Sequence, residues 1–201
     1  MSANDSVVIS GAGLWTPENV LTNVELVQVL NDYADRFNEQ HASQIDTGDV
    51  DPVAKSDPDF ITKASGIRQR YVSHAYDSDP FAADKLFHQE GRKVFKEVCP
   101  MAAEHLAAQI DAVGASIGEV RRWWLHQANI NMNQLITKRL LGHVGTQDEA
   151  PIVLDEYANT ASAGSMIAFN LHHKDLSSGD LGVICSFGAG YSIGSLALRK
   201  R

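Results

Sequence analysis

Two tryptophans and a leucine, Trp123–Leu125, form a short apolar run that ends at His126. A run of this length fits a buried strand, and the residues after it show helical spacing that stops near Gly142. In open α/β sheets, side chains at strand ends assemble binding and catalytic sites. The segment therefore predicts a strand, a helix and, between them, a candidate functional histidine.

Strand-like and helix-like segments alternate along the rest of the chain. An N-terminal strand in "SVVIS" precedes a helix that starts with the capping-box pair Thr22 and Glu25. Composition rich in Asp, Ser, Gly and Pro predicts a solvated loop or insertion at about 40–59. The remaining elements are a helix from Lys85 to Ala112 interrupted at Pro100, a strand in "APIVLDEY", a helix in "AGSMIAFNLHHKDL", and two strands around a turn at Gly188 and Gly190. This order predicts an α/β layered fold.

Charge and composition exclude several classes of protein. The chain has 201 residues, 44% of them hydrophobic, and a formal net charge of -8, which argues against binding to nucleic acid or a membrane surface. Its cysteines, Cys99 and Cys185, have no metal-ligand spacing and no disulfide framework, which suits a reducing compartment. With no signal-peptide pattern at the N-terminus, we expect a cytoplasmic protein without a metal site.

Five motifs occur in the order of one known family. They are "ITKASGIRQRYV", "LFHQEGRKVFKEV", "WWLHQAN", "YANTASAGS" and "CSFGAGYSIGSLALR". Together they resemble the β-ketoacyl-acyl-carrier-protein synthase III family of condensing enzymes. The resemblance implies a thiolase-like αβαβα layered fold and an acyltransferase that initiates fatty acid biosynthesis by decarboxylating condensation. The insertion before Phe60 and the sequence "GRKVFKEV" resemble the medium-chain, β-ketodecanoyl branch of this family.

The resemblance also implies that part of the fold is missing. Residues 1–72 match the start of the N-terminal half, 73–84 form a linker or break, and 85–201 match the C-terminal half. The family's nucleophilic cysteine lies in an Ala- and Cys-rich turn that this chain lacks, and Cys99 and Cys185 fit buried core positions instead.

Two explanations of this gap remain open. Either the sequence omits part of the polypeptide, or an internal deletion leaves a non-catalytic scaffold or partner subunit. We favour the first, because a deletion would strip apolar faces of their partners. If part of the polypeptide is missing, we expect a spatial break near residues 72–80, or a C-terminal sheet with an uncovered edge and face.

The resemblance assigns the catalytic positions to His126 and Asn159. A neutral imidazole and an amide both donate hydrogen bonds that stabilise the enolate of a malonyl thioester. Taken singly, a histidine at a strand end is mostly structural, and an asparagine in a turn is mostly an Asx-turn residue. The catalytic assignment therefore depends on both residues occurring together in motifs of the family. The resemblance assigns substrate contacts to Phe60, which replaces a tryptophan that stacks on adenine, and to Gly188; a core phenylalanine is an equal alternative at position 60.

A carrier-protein-binding patch is implied directly after the histidine. Its members are Gln127, Ala128, Asn129, Ile130 and Asn131. Asn131 stands where the family commonly has an arginine, so Arg121, Arg122, Lys138 and Arg139 are the candidates for compensation, with ordinary surface charge as the alternative.

The partners implied by the resemblance are acyl-carrier protein, acyl-coenzyme A and a second copy of the chain in a homodimer. No cofactor is implied beyond the coenzyme A thioester that serves as substrate. A hydrolase that uses His126 with Ser162 or Ser165 is disfavoured, because no G-x-S-x-G motif exposes a serine.

Overall fold

The computed structural model describes residues 8–72, 91–188 and 190–201. The helices and strands, in chain order, are β1 (Asn19–Thr22), α1 (Asn23–Gln40), α2 (Ala42–Thr47), α3 (Pro58–Ser65), β2 (Gln69–Val72), α4 (Gly91–Ala112), β3 (Val120–Leu125), α5 (Ile130–Leu141), α6 (Leu154–Tyr157), α7 (Ala163–Leu171), β4 (Leu181–Gly188) and β5 (Ser192–Arg199). The mixed α/β class is confirmed. None of the described helices is long and apolar enough to cross a membrane.

The C-terminal sheet has the strand order β3-β4-β5. Strand β3 runs parallel to β4, and β4 pairs antiparallel with β5. Because side chains alternate across a strand, the adjacent tryptophans of β3 face opposite sides. Trp123 packs with Leu106 of α4 and Ile136 of α5 in one cluster, and Trp124 packs with Phe169 of α7 in another. The sheet therefore lies between two helical layers.

The helices of this region follow their sequence signals. Asn129 caps α5 by accepting a hydrogen bond from the N–H of Asn131 at 2.8 Å, and Gly142 ends the helix with a φ of 81°. Helix α4 runs through Pro100 as one helix within its described part, and its predicted beginning at Lys85 lies outside the described residues. The C-terminal strand pair around the glycine turn is confirmed.

The N-terminal region contains a two-stranded antiparallel sheet and three helices. Thr22 and Glu25 form the predicted capping box at the start of α1. The predicted loop at about 40–59 is partly wrong, because α2 forms within it and Asp57 caps α3 with Pro58 at its first position. The described part of the predicted N-terminal strand, Val8–Ser10, has no regular secondary structure.

Another predicted strand is wrong because of a contact with a residue that is distant in the sequence. Residues 151–153 form no strand, and α6 follows them directly. The side-chain carbonyl of Gln127 accepts the N–H of Val153 at 3.0 Å, so a side chain takes the donor that a strand would offer to its neighbour. This contact places the segment beside the end of β3.

The border between the two regions depends on tight contacts around Gly66. This residue ends α3 with a φ of +86°, and a Cβ atom built there would lie 2.9 Å from Cβ of Ile130. The side chains of Asn129 and Asn131 both donate to the carbonyl of Ala64, at 2.9 and 3.2 Å. Helix α3 is thereby seated on the start of α5.

The predicted spatial break falls on residues outside the described ranges and stays a prediction. The other expectation for a missing part of the fold is an uncovered sheet edge, and the position of β5 agrees with it. Among the described strands β5 pairs with β4 alone, and its Leu196 is 56% exposed. On α7, Met166 and Leu171 are 45% and 42% exposed.

Candidate active site

His126 follows directly after β3 and is almost fully buried. Only 6% of its surface is exposed, and its ring packs on Phe187 of β4 with 4.3 Å between ring centroids. Its Nδ1 atom is buried and has no hydrogen-bond partner among the described residues. A buried polar nitrogen without a partner costs about 1–3 kcal/mol, and Nδ1 of His126 shares this state with side-chain atoms of Trp123 and Asn133.

Burial also sets the charge of the imidazole. Removal from water lowers the pKa of His126 from 6.5 to about 4. The ring is therefore neutral at physiological pH, with one N–H donor and one acceptor nitrogen. This is the protonation state that the sequence analysis requires of an enolate-stabilising histidine.

Asn159 lies in a strained turn between α6 and α7. Ala158 has a φ of 58° and a ψ of -163°, and Ala161 has a φ of 53°, both unusual for residues with a Cβ atom. The side-chain oxygen of Asn159 accepts the N–H of Ala161 at 3.0 Å. Because the oxygen is used inside the turn, the NH₂ group is the end of this exposed amide that is left to meet a ligand.

A cavity of about 490 Å³ brings Asn159 together with the segment after His126. Its lining includes Asn159 of the strained turn, Ala128, Asn129 and Asn131 of the predicted carrier patch, and Phe95 of α4. The charged residues of the lining are Arg92 and Lys96. The volume falls in the range of small-molecule sites, and the lining is positive in a chain of net negative charge.

Arg92 and Lys96 are functional candidates that the sequence analysis missed. They lie four residues apart on α4, so they share a helix face. The motif "GRKVFKEV" contained them, and helical spacing applied to its basic residues would have selected this pair. Their position in the cavity suits an anionic ligand.

The structure gives Gln127 a different role from that of its neighbours in the predicted patch. Gln127 is 0% exposed, so it has no surface to offer a carrier protein. Its amide donates to the carbonyls of Leu125 and Pro151 at 2.9 and 3.3 Å. Ala128, Asn129, Ile130 and Asn131 keep partial or full exposure, and Ile130 also packs against Gly66.

The proposed compensation by Arg122 is wrong. The side chain of Arg122 is 3% exposed and donates to both carboxylate oxygens of Asp175, at 2.9 and 2.8 Å. It also pairs with Asp148 at 2.7 Å, and Asp148 in turn pairs with Arg121. Lys138 and Arg139 lie in the last turn of α5, roughly 10 Å along the helix from Asn131.

The two predicted substrate contacts lie at the surface. Phe60 is 62% exposed in the first turn of α3, so the core alternative for this residue is wrong. Gly188 ends β4, directly after the phenylalanine that packs on His126. A contact between either residue and a substrate stays a prediction.

Neither cysteine has the surroundings of a nucleophile. Cys99 and Cys185 are 0% and 1% exposed, and burial raises their pKa values to about 11 and about 12. The prediction that both are core residues is confirmed. Ser165 is buried and pairs with the hydroxyl of Ser186 at 2.7 Å, which leaves the hydrolase alternative without support.

Within the described ranges no group of three or more metal-binding side chains comes together.

Comparison with known proteins shows what the chain is similar to. Residues 110–200 match the family model described as 3-oxoacyl-[acyl-carrier-protein (ACP)] synthase III C terminal. These residues are similar to the C-terminal part of that family. The predicted resemblance to the synthase III family is confirmed.

Two curated synthases show how far the similarity extends. The chain is 57% identical over 130 residues to the β-ketodecanoyl-[acyl-carrier-protein] synthase of Pseudomonas aeruginosa, a match that covers 65% of this chain and 37% of that protein. It is 36% identical over 115 residues to a β-ketoacyl-[acyl-carrier-protein] synthase III of Symbiobacterium thermophilum, covering 56% and 34%. The chain thus spans little more than a third of the length of these synthases.

Solved synthase III structures share the fold. The structure from Aquifex aeolicus has a TM-score of 0.71 at 12% identity and covers 92% of this chain and 97% of its own. The structure from Pseudomonas aeruginosa has a TM-score of 0.51 at 25% identity and covers 64% and 37%. The thiolase-like fold class is confirmed, and the chain forms part of it.

Proposed function

We propose that this chain carries the malonyl-activating part of a β-ketoacyl-acyl-carrier-protein synthase III-type acyltransferase. The proposal is carried by a neutral, buried imidazole at the end of β3. His126 does not itself line the cavity, but Ala128, two residues later, lines it together with the exposed amide of Asn159. Condensing chemistry needs hydrogen-bond donors where negative charge develops on a thioester oxygen. The imidazole and the amide supply two such donors.

The reaction begins with loss of carbon dioxide from a malonyl thioester. The bond to the carboxylate breaks, and its electron pair moves into the thioester to form an enolate. His126 and Asn159 stabilise the enolate oxygen through N–H donors. The enolate carbon then attacks the carbonyl of an acyl-cysteine, whose thiolate leaves, and a β-ketoacyl thioester forms. The similarity to the β-ketodecanoyl synthase supports a medium-chain acyl group.

The cysteine that accepts the acyl group is not one of the two in this chain. Both are buried in the apolar core with raised pKa values. We propose that the acyl-accepting cysteine lies in the part of the synthase that this chain does not cover. The second candidate function, a non-catalytic scaffold or partner subunit, rests on the same pair of inert cysteines.

Carrier binding is proposed at the mouth of the cavity. Ala128, Asn129 and Asn131 form one side, and Arg92 and Lys96 replace the charge that Asn131 lacks. Ile130 lies between them in the chain and completes the proposed patch. An acidic carrier protein and a phosphorylated substrate arm would both be drawn to this pair of cations. Phe60 and Gly188 complete the proposed substrate contacts. We expect the synthase to be a homodimer in the cytoplasm.

Malonyl decarboxylation tests the proposal, because this half-reaction does not need the cysteine. The purified chain is incubated with malonyl-coenzyme A or malonyl-carrier protein, and release of the acetyl thioester is measured. We expect His126→Ala to lower the rate by about 10²-fold or more, and Asn159→Ala similarly. His105→Ala is the matched control, since His105 is an exposed histidine on α4 that bonds Ser195, and it should keep the rate.

Two results would favour the scaffold instead. One is carrier binding without decarboxylation in the wild-type chain. The other is an equal loss in the His105→Ala and His126→Ala variants, which would mean that the histidine acts through stability alone. Intact mass of the native protein adds a separate criterion, because an active synthase should exceed the 21.9 kDa of this chain.

A further inference from the structure

We infer that Gln127 is the positioning residue that fixes His126 and Asn159 relative to each other. The inference rests on the proposed function for its chemical meaning and on contacts of Gln127 for its geometry. Gln127 follows His126 in the chain, so its backbone is tied to the end of β3. Its side chain points away from solvent and is 0% exposed.

The amide of Gln127 holds the segment that leads into the Asn159 turn. Its oxygen accepts the N–H of Val153 at 3.0 Å, and its nitrogen donates to the carbonyl of Pro151 at 3.3 Å. A further hydrogen bond from the nitrogen to the carbonyl of Leu125, at 2.9 Å, fixes the rotation of the amide. Both functional ends of the side chain are therefore used, and a flipped amide would face the wrong partners.

The other side of the Asn159 turn also packs on Gln127. A Cβ atom added to Gly164, in the first turn of α7, would lie 2.7 Å from Cβ of Gln127 and 3.0 Å from its Cγ. Gly164 thus lets α7 approach closer than any larger residue would. Gln127 contacts the chain on both sides of Asn159, while its own neighbour in sequence is His126.

This arrangement explains how two strained residues are kept in place. Ala158 and Ala161 hold positive φ angles on either side of the asparagine, and such angles persist only where the surroundings determine them. Gln127 contacts Val153 before the turn and Gly164 after it, and these contacts hold the turn in its strained conformation. A shift of the turn by about 1 Å is enough to lower catalysis by about 10²-fold.

The test compares Gln127→Met with Thr137→Val. Methionine keeps the length of glutamine without its hydrogen bonds. Thr137 is the matched control because it is also buried, accepts the N–H of Gly145 at 3.0 Å, and packs on that glycine. Side-chain amide resonances of Asn159 are followed by NMR in a ¹⁵N-labelled chain, together with kcat and KM for malonyl-coenzyme A decarboxylation.

The expected result separates the two variants. Gln127→Met should shift or broaden the Asn159 amide signals and lower kcat by roughly 10- to 100-fold, with a change in KM below about threefold. Thr137→Val should leave both unchanged at a comparable melting temperature. A folded Gln127→Met chain that matches Thr137→Val in signals and kcat would overturn the inference.

A second variant covers the case in which Gln127→Met does not fold. Gly164→Ala pushes on the Gln127 side chain while leaving its amide chemistry intact. The same shift of the Asn159 signals is expected, and unchanged signals would overturn the inference. Because the NMR readout needs no turnover, a wild-type chain without decarboxylation would contradict the proposed function alone.

Discussion

Residues 8–72 and residues 91–201 differ in how much apolar surface each buries. In the first region the buried apolar residues are Val27 and Ala34, whereas both hydrophobic clusters lie in the second. The first region leaves Trp15 81% and Phe60 62% exposed. The C-terminal region therefore has a core of its own, and the N-terminal region depends on its border contacts with that core.

The largest expected effect tests whether stability resides in the C-terminal core. Trp123→Ala removes a fully buried indole between the sheet and the α4–α5 layer, and should lower the free energy of unfolding by about 3–5 kcal/mol. Phe60→Ala removes an aromatic ring of the other region that is already exposed, and should change it by less than about 0.5 kcal/mol. Urea unfolding followed by circular dichroism measures both.

Similar losses in these two variants would contradict the comparison. They would mean that the exposed face of α3 is packed in solution and that the two regions share one core. An intermediate loss in Phe60→Ala with a changed urea dependence would instead indicate a second cooperative unit.

The next effect concerns pH and lies in the C-terminal region as well. The pKa of His126 is about 4 in the folded chain and 6.5 in the reference state, so the unfolded chain binds the proton more tightly. The contribution of the neutral, buried His126 to the stability of the fold is therefore fully present above about pH 6.5, and it is lost as the pH falls through about 4. A difference of this size corresponds to roughly 3 kcal/mol.

Melting temperatures between pH 7 and pH 4 provide the measurement. The wild-type chain should lose stability over this window, and His126→Gln, which does not titrate, should lose markedly less. His105→Gln serves as the control, because it makes the same substitution at an exposed histidine. An unchanged slope in His126→Gln would show that the imidazole is accessible to water in solution.

The same comparison explains which features the sequence could predict. Apolar periodicity, the caps at Thr22 and Asn129, and the stop at Gly142 are local signals, and they located β3, β4, β5, α1 and α5. The strand expected at residues 151–153 failed because a distant side chain, that of Gln127, takes the N–H of Val153. No local pattern encodes such a contact.

The candidate site shows the same division. His126 and Asn159 were selected by motifs, and the neutral state of the imidazole follows from burial that a strand end implies. The cations of α4 were missed, because their place in the cavity depends on how α4 packs against α5. Burial of Gln127 and Arg122 was missed for the same reason, since both side chains are polar and their burial depends on partners that are distant in the sequence.

The smallest expected effect addresses the border itself. Gly66→Ala adds a Cβ atom that would lie 2.9 Å from Cβ of Ile130, at a backbone φ of +86°. Gly48→Ala is the matched control, because Gly48 also ends a helix, has a φ of +80°, and has nothing within 4 Å of an added Cβ. Both variants carry the cost of a left-handed alanine, about 1–2 kcal/mol. The difference between them therefore isolates the contact with the C-terminal region.

We expect that difference to be about 1–3 kcal/mol, the usual cost of overpacking, and to appear as loosening of one region alone. In Gly66→Ala, amide exchange and proteolysis should become faster in residues 8–72 and stay unchanged in β3 and β4, since those strands have their own core. Gly48→Ala should change exchange only near α2. Faster exchange in β3 or β4 of the Gly66→Ala chain would show that the core of the C-terminal region extends across the border, through Ile130 and Leu154, into α3.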